Sequence, residues 1–326
     1  MRGSTNGQVQ ELYHKSGVKR IGESKHEAKA RARVHLAGEG VAASWHAVGK
    51  RLGIYSYKTA DVYRDIWNQV FKHAKTEFKV KDIEKLEVEH IQSYLEAKIE
   101  KGVAHSTFSQ HVSAIEKLES ALNGYAEGKG SGRVYDFSEG IRNTKGNAHK
   151  TLERFSGSRA YDDPRGLIEA IENPVHRLVA KIQLESGARV RECTYLNRDN
   201  IRGIKNDPVT GKEKGVFYVT RAKGGKAGDK YVSVETYKLL VGQIEAAGGL
   251  FRVNVDFYRE SLKIASEKSR QDYNGSHGLR WNFARERFRE VQLDGGQFYE
   301  QALAQVSREM LHERADITEH YLYKLT

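Results

Sequence analysis

Six side chains in the second half of the chain are of types that could exchange a phosphodiester bond. They are two arginines, a lysine, two histidines and a tyrosine: Arg189, Lys223, His277, Arg280, His312 and Tyr321. Guanidinium groups can grip the non-bridging phosphate oxygens, whose negative charge increases in the pentacoordinate transition state. A lysine can protonate a leaving hydroxyl, and a tyrosine can attack phosphorus to form a covalent intermediate. Each residue alone has an ordinary structural explanation, so the interpretation depends on their order and spacing.

The spacing of these residues defines short motifs. Arg189 directly follows the tight turn Ser186-Gly187-Ala188. His277 and Arg280 are three residues apart, which places them on one face if the segment is helical. His312 precedes Tyr321 by nine residues. The motifs occur in a specific order: arginine, lysine, the histidine–arginine pair, then histidine and tyrosine. Each motif is common by itself.

In this order the motifs resemble those of the tyrosine recombinase family of phage and mobile-element integrases. Gly187-Ala188-Arg189-Val190-Arg191-Glu192 resembles the family's Gly-x-Arg-x-x-Glu turn. Thr318-Glu319-His320-Tyr321 resembles its nucleophile segment. The resemblance covers residues from about 56 to 124 and from 160 to 323. It implies a mainly α fold with a small antiparallel β-sheet, in which a helical core-binding domain precedes an α+β catalytic domain.

The resemblance also implies how the phosphate is bound. Arg189 and Arg280 would grip its non-bridging oxygens, and His312 would add a further hydrogen bond. Glu192 would support the site by orienting an arginine or a histidine. Two positions depart from the family pattern without replacing a reacting group: Trp281 stands where another histidine is frequent, and Leu311 where glycine is common.

The remaining implied roles concern proton transfer and attack. Tyr321 would form a 3′-phosphotyrosyl link, with His277 assisting proton transfer at its hydroxyl. Tyr323, two residues on, is an alternative nucleophile. Lys223 would protonate the leaving 5′-hydroxyl, and Lys226 is the alternative if the register of the hairpin differs.

The implied activity is site-specific DNA recombination by a tyrosine recombinase of the integrase or excisionase type. Strands would be cut and rejoined through a Holliday junction by a DNA-bound homotetramer acting on specific double-stranded sites. We expect no cofactor, ATP or metal, since the chain has no GxxxxGK[ST] loop and no His, Cys or carboxylate cluster at metal-ligand spacing. Two alternatives remain: strand relaxation of the type IB topoisomerase kind, and a DNA-binding regulator that has lost catalysis.

The surrounding elements must position these residues. Apolar rows predict helices over residues 59–71, 88–99 and 106–122, and the third helix is expected to end at Gly124. The glycine-rich segment 124–132 reads as a flexible linker. Strands are predicted at 216–220 and 231–234, joined by a loop that carries Lys223. The predicted organisation is a possible flexible N-terminal arm (1–24), a helical DNA core-binding domain (25–157) and a catalytic domain (158–326).

The composition agrees with a nucleic-acid partner. The formal net charge is +11 over 326 residues, and such a charge favours polyanions because neutralising phosphates releases condensed counterions. There is no run of eighteen apolar residues, so we predict no membrane partner. A single cysteine, Cys193, fits a reducing compartment, and the expected location is the cytoplasm.

Overall fold

A computed structural model describes residues 1–220, 222, 225–312 and 315–322 of the chain. The chain divides into two compact units, Met1–Phe155 and Ser156–Thr326. None of the helices in the described ranges combines the length and the apolar character that crossing a bilayer requires.

The first unit is built from α-helices around a main apolar core and a smaller apolar cluster. The long helices behave as their apolar rows predict: Trp67 is fully buried, and its indole Nε1 donates to the Ala114 carbonyl at 2.7 Å. The helices are α1 (Thr5–Lys15), α2 (Lys25–Gly38), α3 (Trp45–Arg51), α4 (Tyr57–Glu77), α5 (Val88–Glu100), α6 (His105–Gly128) and α7 (Ser138–Thr151).

Residues 1–24 differ from the flexible arm that the sequence suggested. Val9 and Leu12 of α1 are fully buried in the core of this unit. The Gln8 amide also donates to the Lys81 carbonyl at 3.0 Å. The apolar positions of α1 recur at helical spacing over little more than one turn, a signal that is weak until tertiary packing supports it.

The glycine-rich segment 124–132 also differs from the flexible linker that we predicted. Its first five residues continue α6 to Gly128. A β-carbon added at Gly124 would lie 2.3 Å from the Ser16 carbonyl oxygen. Glycine at this position therefore permits close approach of two backbone segments. Helix α7 follows in a stretch whose polar sequence showed no clear period.

The second unit combines helices with short antiparallel strands, as predicted. Its helices are α8 (Pro164–Glu169), α9 (Pro174–Ser186), α10 (Val190–Cys193), α11 (Val234–Ala246), α12 (Val255–Lys268), α13 (Gly275–Leu293), α14 (Tyr299–Glu309) and α15 (Ala315–Leu322). Its strands are β1 (Tyr195–Asn197), β2 (Ile201–Asn206), β3 (Glu213–Val219), β4 (Gly228–Val232) and β5 (Leu250–Arg252). Among the described residues the strands pair as β1–β5 and in the order β2–β3–β4.

The predicted hairpin is confirmed as the antiparallel pair β3–β4, with Val219 opposite Gly228 and Gly215 opposite Val232. Strand β4 begins and ends earlier than predicted. It stops at Val232 because Ser233 caps α11, its side chain accepting from the Thr236 amide.

Two apolar clusters fill this unit. One surrounds β3 and the helices packed on it. The other lies between α13, α14 and α15 and contains Trp281, Met310 and Tyr321. Helix α13 contacts both the turn after α9 and the end of α14. The first of these segments leads to Arg189 and the second to His312.

Candidate active site

The turn between α9 and α10 presents Arg189. Helix α9 ends at Ser186, and the glycine that caps it, Gly187, adopts a left-handed conformation with φ of 61°. Arg189 then caps α10. Its backbone amide and its Nη1 both donate to the Glu192 carboxylate at 2.8 Å. The Glu192 side chain is 4% exposed and that of Arg189 is 24% exposed. Glu192 thus orients the guanidinium, whose Nε and Nη2 have no hydrogen-bond partner among the described residues.

Gly187→Ala is expected to destabilise the protein more than the same change at another left-handed glycine. An added β-carbon would lie 2.3 Å from the Phe283 ring, whereas at Gly211, with φ of 70°, nothing lies within 4 Å. The left-handed conformation costs alanine about 1–2 kcal/mol at either position, and overpacking adds about 1–3 kcal/mol at Gly187. Urea denaturation of both variants measures the difference, and equal losses of stability would contradict the close approach to Phe283.

Arg280 is fully buried on α13 and joins two segments. Its Nη1 donates to the Gly187 carbonyl. Its Nη2 donates to the Met310 carbonyl at 2.6 Å and to His312 Nε2 at 2.8 Å. Its Nε is buried without a hydrogen-bond partner in the described part of the chain. Burial, followed by the neighbouring charge of Arg189, lowers the pKa of Arg280 to about 10.

His312 is held in a neutral state. Burial, followed by the charges of Arg280 and Arg189, lowers its pKa to about 3. Because a guanidinium can only donate, His312 Nε2 accepts and Nδ1 carries the proton. Nδ1 lies 2.7 Å from Thr318 Oγ1, which also accepts from Ser307 Oγ at 2.6 Å. Thr318 was not singled out in the sequence as a partner of His312, although it lies in the segment that resembles the nucleophile motif.

Tyr321 lies on α15 with 7% of its surface exposed. Its hydroxyl is 2.9 Å from His277 Nε2. The Trp281 and Tyr321 rings have centroids 5.0 Å apart, and the His312 and Tyr321 centroids are 5.4 Å apart. Trp281 therefore packs directly on the tyrosine. This is the position at which the family that the motifs resemble often has histidine.

Lys223, the predicted proton donor, lies outside the described residues. Lys226, on the same loop, is close enough to His312 for its charge to lower the pKa of the imidazole. A third lysine that the sequence analysis missed, Lys230 on β4, is 1% exposed and lies beside the arginines. Strand alternation could have revealed it, because Lys230 is in phase with the buried Val232.

The described members of the predicted set thus converge. Arg189, Arg280 and His312 are electrostatic neighbours, while His277 and Tyr321 share a contact. The arrangement offers two guanidiniums, a neutral imidazole and a hydroxyl next to a base. In the described ranges, no group of three or more His, Cys, Asp or Glu side chains is arranged to hold a metal ion. Such an arrangement can bind a phosphate and present an oxygen nucleophile to it.

Comparisons with solved structures place the fold. The chain is similar to the XerH site-specific recombinase bound to its difH substrate in a pre-cleavage complex, with a TM-score of 0.61 and 14% identity over 98% of this chain and 93% of that one. It is also similar to the Tn1549 transposon integrase in complex with transposon right end DNA, with a TM-score of 0.54 and 11% identity over 93% and 96% of the two chains. The same integrase with a circular intermediate DNA gives a TM-score of 0.54 and 10% identity over 91% and 93%.

Two other comparisons find nothing: no protein-family model matches the chain, and no curated protein matches it. The structural similarity shows that the chain has the tyrosine recombinase fold, which confirms the fold that the motifs implied. At these sequence identities the structural similarity shows the fold and does not show which reaction the protein catalyses.

Proposed function

We propose that this protein is a site-specific tyrosine recombinase that cuts and rejoins double-stranded DNA. The observation that carries the proposal is the hydroxyl of Tyr321, 2.9 Å from His277 Nε2, on a ring that neighbours His312, which in turn contacts Arg280. A hydroxyl next to a base, beside buried cations, suits attack on an anionic centre. The net charge of +11 favours the same polyanionic substrate.

The scissile phosphate would bind between Arg189 and Arg280. Among the described residues, two donors of Arg189 face no acceptor, and the buried Nε of Arg280 lacks one as well. Buried donors are almost always satisfied in folded proteins, which supports an acceptor supplied by the substrate. His312 would donate to the phosphate from Nε2 only after its proton moves from Nδ1, because Nε2 accepts from Arg280 in this structure.

The reaction would proceed in two balanced transfers. Tyr321 Oη attacks phosphorus while His277 Nε2 accepts the phenolic proton. The bond from phosphorus to the 5′ oxygen breaks, and the 5′-hydroxyl leaves with a proton from the hairpin lysine, Lys223 or Lys226. The resulting 3′-phosphotyrosyl link retains the energy of the broken ester, so a 5′-hydroxyl of another strand can reverse the step without ATP. Pairwise exchange through a Holliday junction in a DNA-bound homotetramer would complete recombination.

Covalent capture tests this function without knowledge of the target site. Wild-type protein is incubated with a pool of nicked duplexes of random sequence, and adducts that survive detergent are sequenced. We expect a covalent adduct at a narrow set of sequences. Binding without any adduct would indicate a DNA-binding regulator, and relaxation of supercoiled plasmid without junction formation would indicate type IB topoisomerase-like activity.

A sulfur-substituted substrate identifies the lysine that protonates the leaving group. Lys223→Ala should slow cleavage of ordinary DNA by about 10²–10⁴-fold, the usual contribution of general acid catalysis. It should cleave DNA with a 5′-bridging phosphorothiolate at nearly the wild-type rate, because a thiolate leaves without a proton. Lys226→Ala is the matched control and should change neither rate. The opposite pattern would assign the proton to Lys226, and an absence of rescue in both variants would contradict a hairpin proton donor.

A further inference from the structure

The proposed mechanism gives no role to Lys230, a buried cation beside Arg189 and Arg280. Lys230 is 1% exposed, and it forms no ion pair among the described residues. Its ammonium donates to the Glu309 carbonyl at the end of α14. Burial, followed by the charge of Arg280, lowers the pKa of Lys230 to about 7. The other charged groups that face it are Arg189, Glu192 and Glu309.

The end of α14 leads directly into His312. Leu311 is left-handed, with φ of 55°, and the His312 amide donates to the Ser307 carbonyl at 2.9 Å. Two cations bind the carbonyls that end this helix: Lys230 that of Glu309 and Arg280 that of Met310. Because the last carbonyls of a helix have no intrahelical partner, such donors determine how the helix ends.

Strand β4 contacts this turn at a second point. A β-carbon added to Gly228 would lie 2.9 Å from Leu311 Cδ2, so the leucine side chain rests against the strand backbone. Gly228 and Lys230 are two residues apart and therefore share one face of β4. The turn before His312 is thus held by Arg280 from α13 and by β4 from the hairpin.

An apolar side chain would serve packing alone better than a lysine does at this position. Burying an ammonium is costly, and apolar replacements of buried ions are often neutral or stabilising. The far side of the turn is already anchored, since the Glu309 carboxylate accepts from Arg287 Nε and Nη2 at 2.8 Å. The role that remains for Lys230 is to orient the Glu309 carbonyl. This orientation in turn positions the start of the segment that carries His312.

We propose that Lys230 is a positioning residue for DNA cleavage, which ties the β3–β4 hairpin to the turn that places His312. This inference rests on the proposed recombinase function. One strand, β4, would then determine the positions of two parts of the site. These are the hairpin, to which the candidate proton donors Lys223 and Lys226 belong, and the turn that places His312. Lys230 itself touches neither the substrate nor the reacting atoms.

Lys230→Met tests the proposal by separating activity from stability. We expect unchanged DNA affinity and an unchanged or higher melting temperature, with adduct formation slowed by about 10- to 100-fold, since a displacement of about 1 Å can cost that much. Lys230→Arg should keep most of the rate because it retains the charge and the donors. Lys205→Met, at an exposed lysine of the same sheet, is the matched control. Full-speed cleavage by Lys230→Met would overturn the proposal.

The 5′-bridging phosphorothiolate substrate separates positioning from proton donation. Lys230→Met should remain slow on it, because a thiolate leaving group does not correct a displaced His312. Restoration of the wild-type rate would make Lys230 the proton donor and refute a positioning role. Wild-type protein that forms no adduct on either substrate would instead refute the proposed function itself.

A second pair of variants tests the coupling of β4 to this turn at its other contact if Lys230→Met fails to fold. Gly228→Ala pushes its new β-carbon against Leu311 Cδ2 and should slow cleavage by about 10-fold or more. Adding Leu311→Ala removes the opposing atoms and should restore most of that rate. Additive losses in the double variant, or no loss in Gly228→Ala, would contradict the coupling between β4 and the turn.

Discussion

Tyr321→Phe is expected to bind duplex DNA with wild-type affinity and to form no covalent adduct on a nicked suicide substrate. The change removes only the hydroxyl, which lies 2.9 Å from His277 Nε2. The ring keeps its packing on Trp281. Losing one hydrogen bond costs about 0.5–1.5 kcal/mol, so the fold should persist while the nucleophile is absent. Filter binding, thermal denaturation and denaturing gels of labelled DNA measure the three properties.

The matched control is Tyr323→Phe, because Tyr323 was the alternative nucleophile and lies outside the described residues. This variant should form the adduct at the wild-type rate. Loss of the adduct in Tyr323→Phe with retention in Tyr321→Phe would reverse the assignment. Adduct formation by both single variants would leave neither tyrosine as the obligatory nucleophile.

The parts of the site that the sequence predicted are those that local chemistry determines. Gly187 marks a helix end because its left-handed φ of 61° suits glycine, and this places Arg189 at the next helix start. The hairpin followed from β-branched and aromatic residues on both sides of a glycine-rich loop. The three-residue spacing of His277 and Arg280 implied a shared face if the segment was helical, and α13 contains both residues.

The parts that the sequence did not predict depend on contacts between distant segments. Gly124 looked like part of a linker, yet it lies in α6 where the backbone near Ser16 approaches. Helix α1 and helix α7 have polar sequences whose few apolar positions acquire meaning only once they are buried. Lys230 was missed because lysines are rarely buried and because the predicted strand began at residue 231, one residue after it.

Arg280 combines a structural role in this site with its proposed role in binding the phosphate. The resemblance assigned it to the phosphate, and its position beside Arg189 supports that assignment. The structure adds that the same guanidinium joins the turn after α9 to the end of α14, through the carbonyls of Gly187 and Met310. A planar fork with five donors can serve several acceptors at fixed angles, which the point charge of a lysine cannot.

Arg280→Ala should therefore reduce both cleavage and stability. Removing a donor to a developing oxyanion costs roughly 10²–10³ in rate, and leaving the Gly187 and Met310 carbonyls buried without a partner costs about 2–5 kcal/mol. Arg280→Lys should recover part of the stability but little of the rate, because one ammonium cannot bridge both carbonyls and a phosphate. Single-turnover cleavage and urea denaturation measure the two effects.

The matched control for this experiment is Arg289→Ala, which removes an exposed arginine from the same helix. It should alter cleavage and unfolding free energy only slightly, since exposed substitutions usually change stability by about 0.5 kcal/mol or less. Because loss of the fold alone could abolish cleavage, the decisive comparison is made at a temperature where Arg280→Lys is fully folded. Wild-type cleavage by that folded variant would show that Arg280 holds the two segments together without serving the phosphate, and the phosphate-binding assignment would then rest on Arg189 alone.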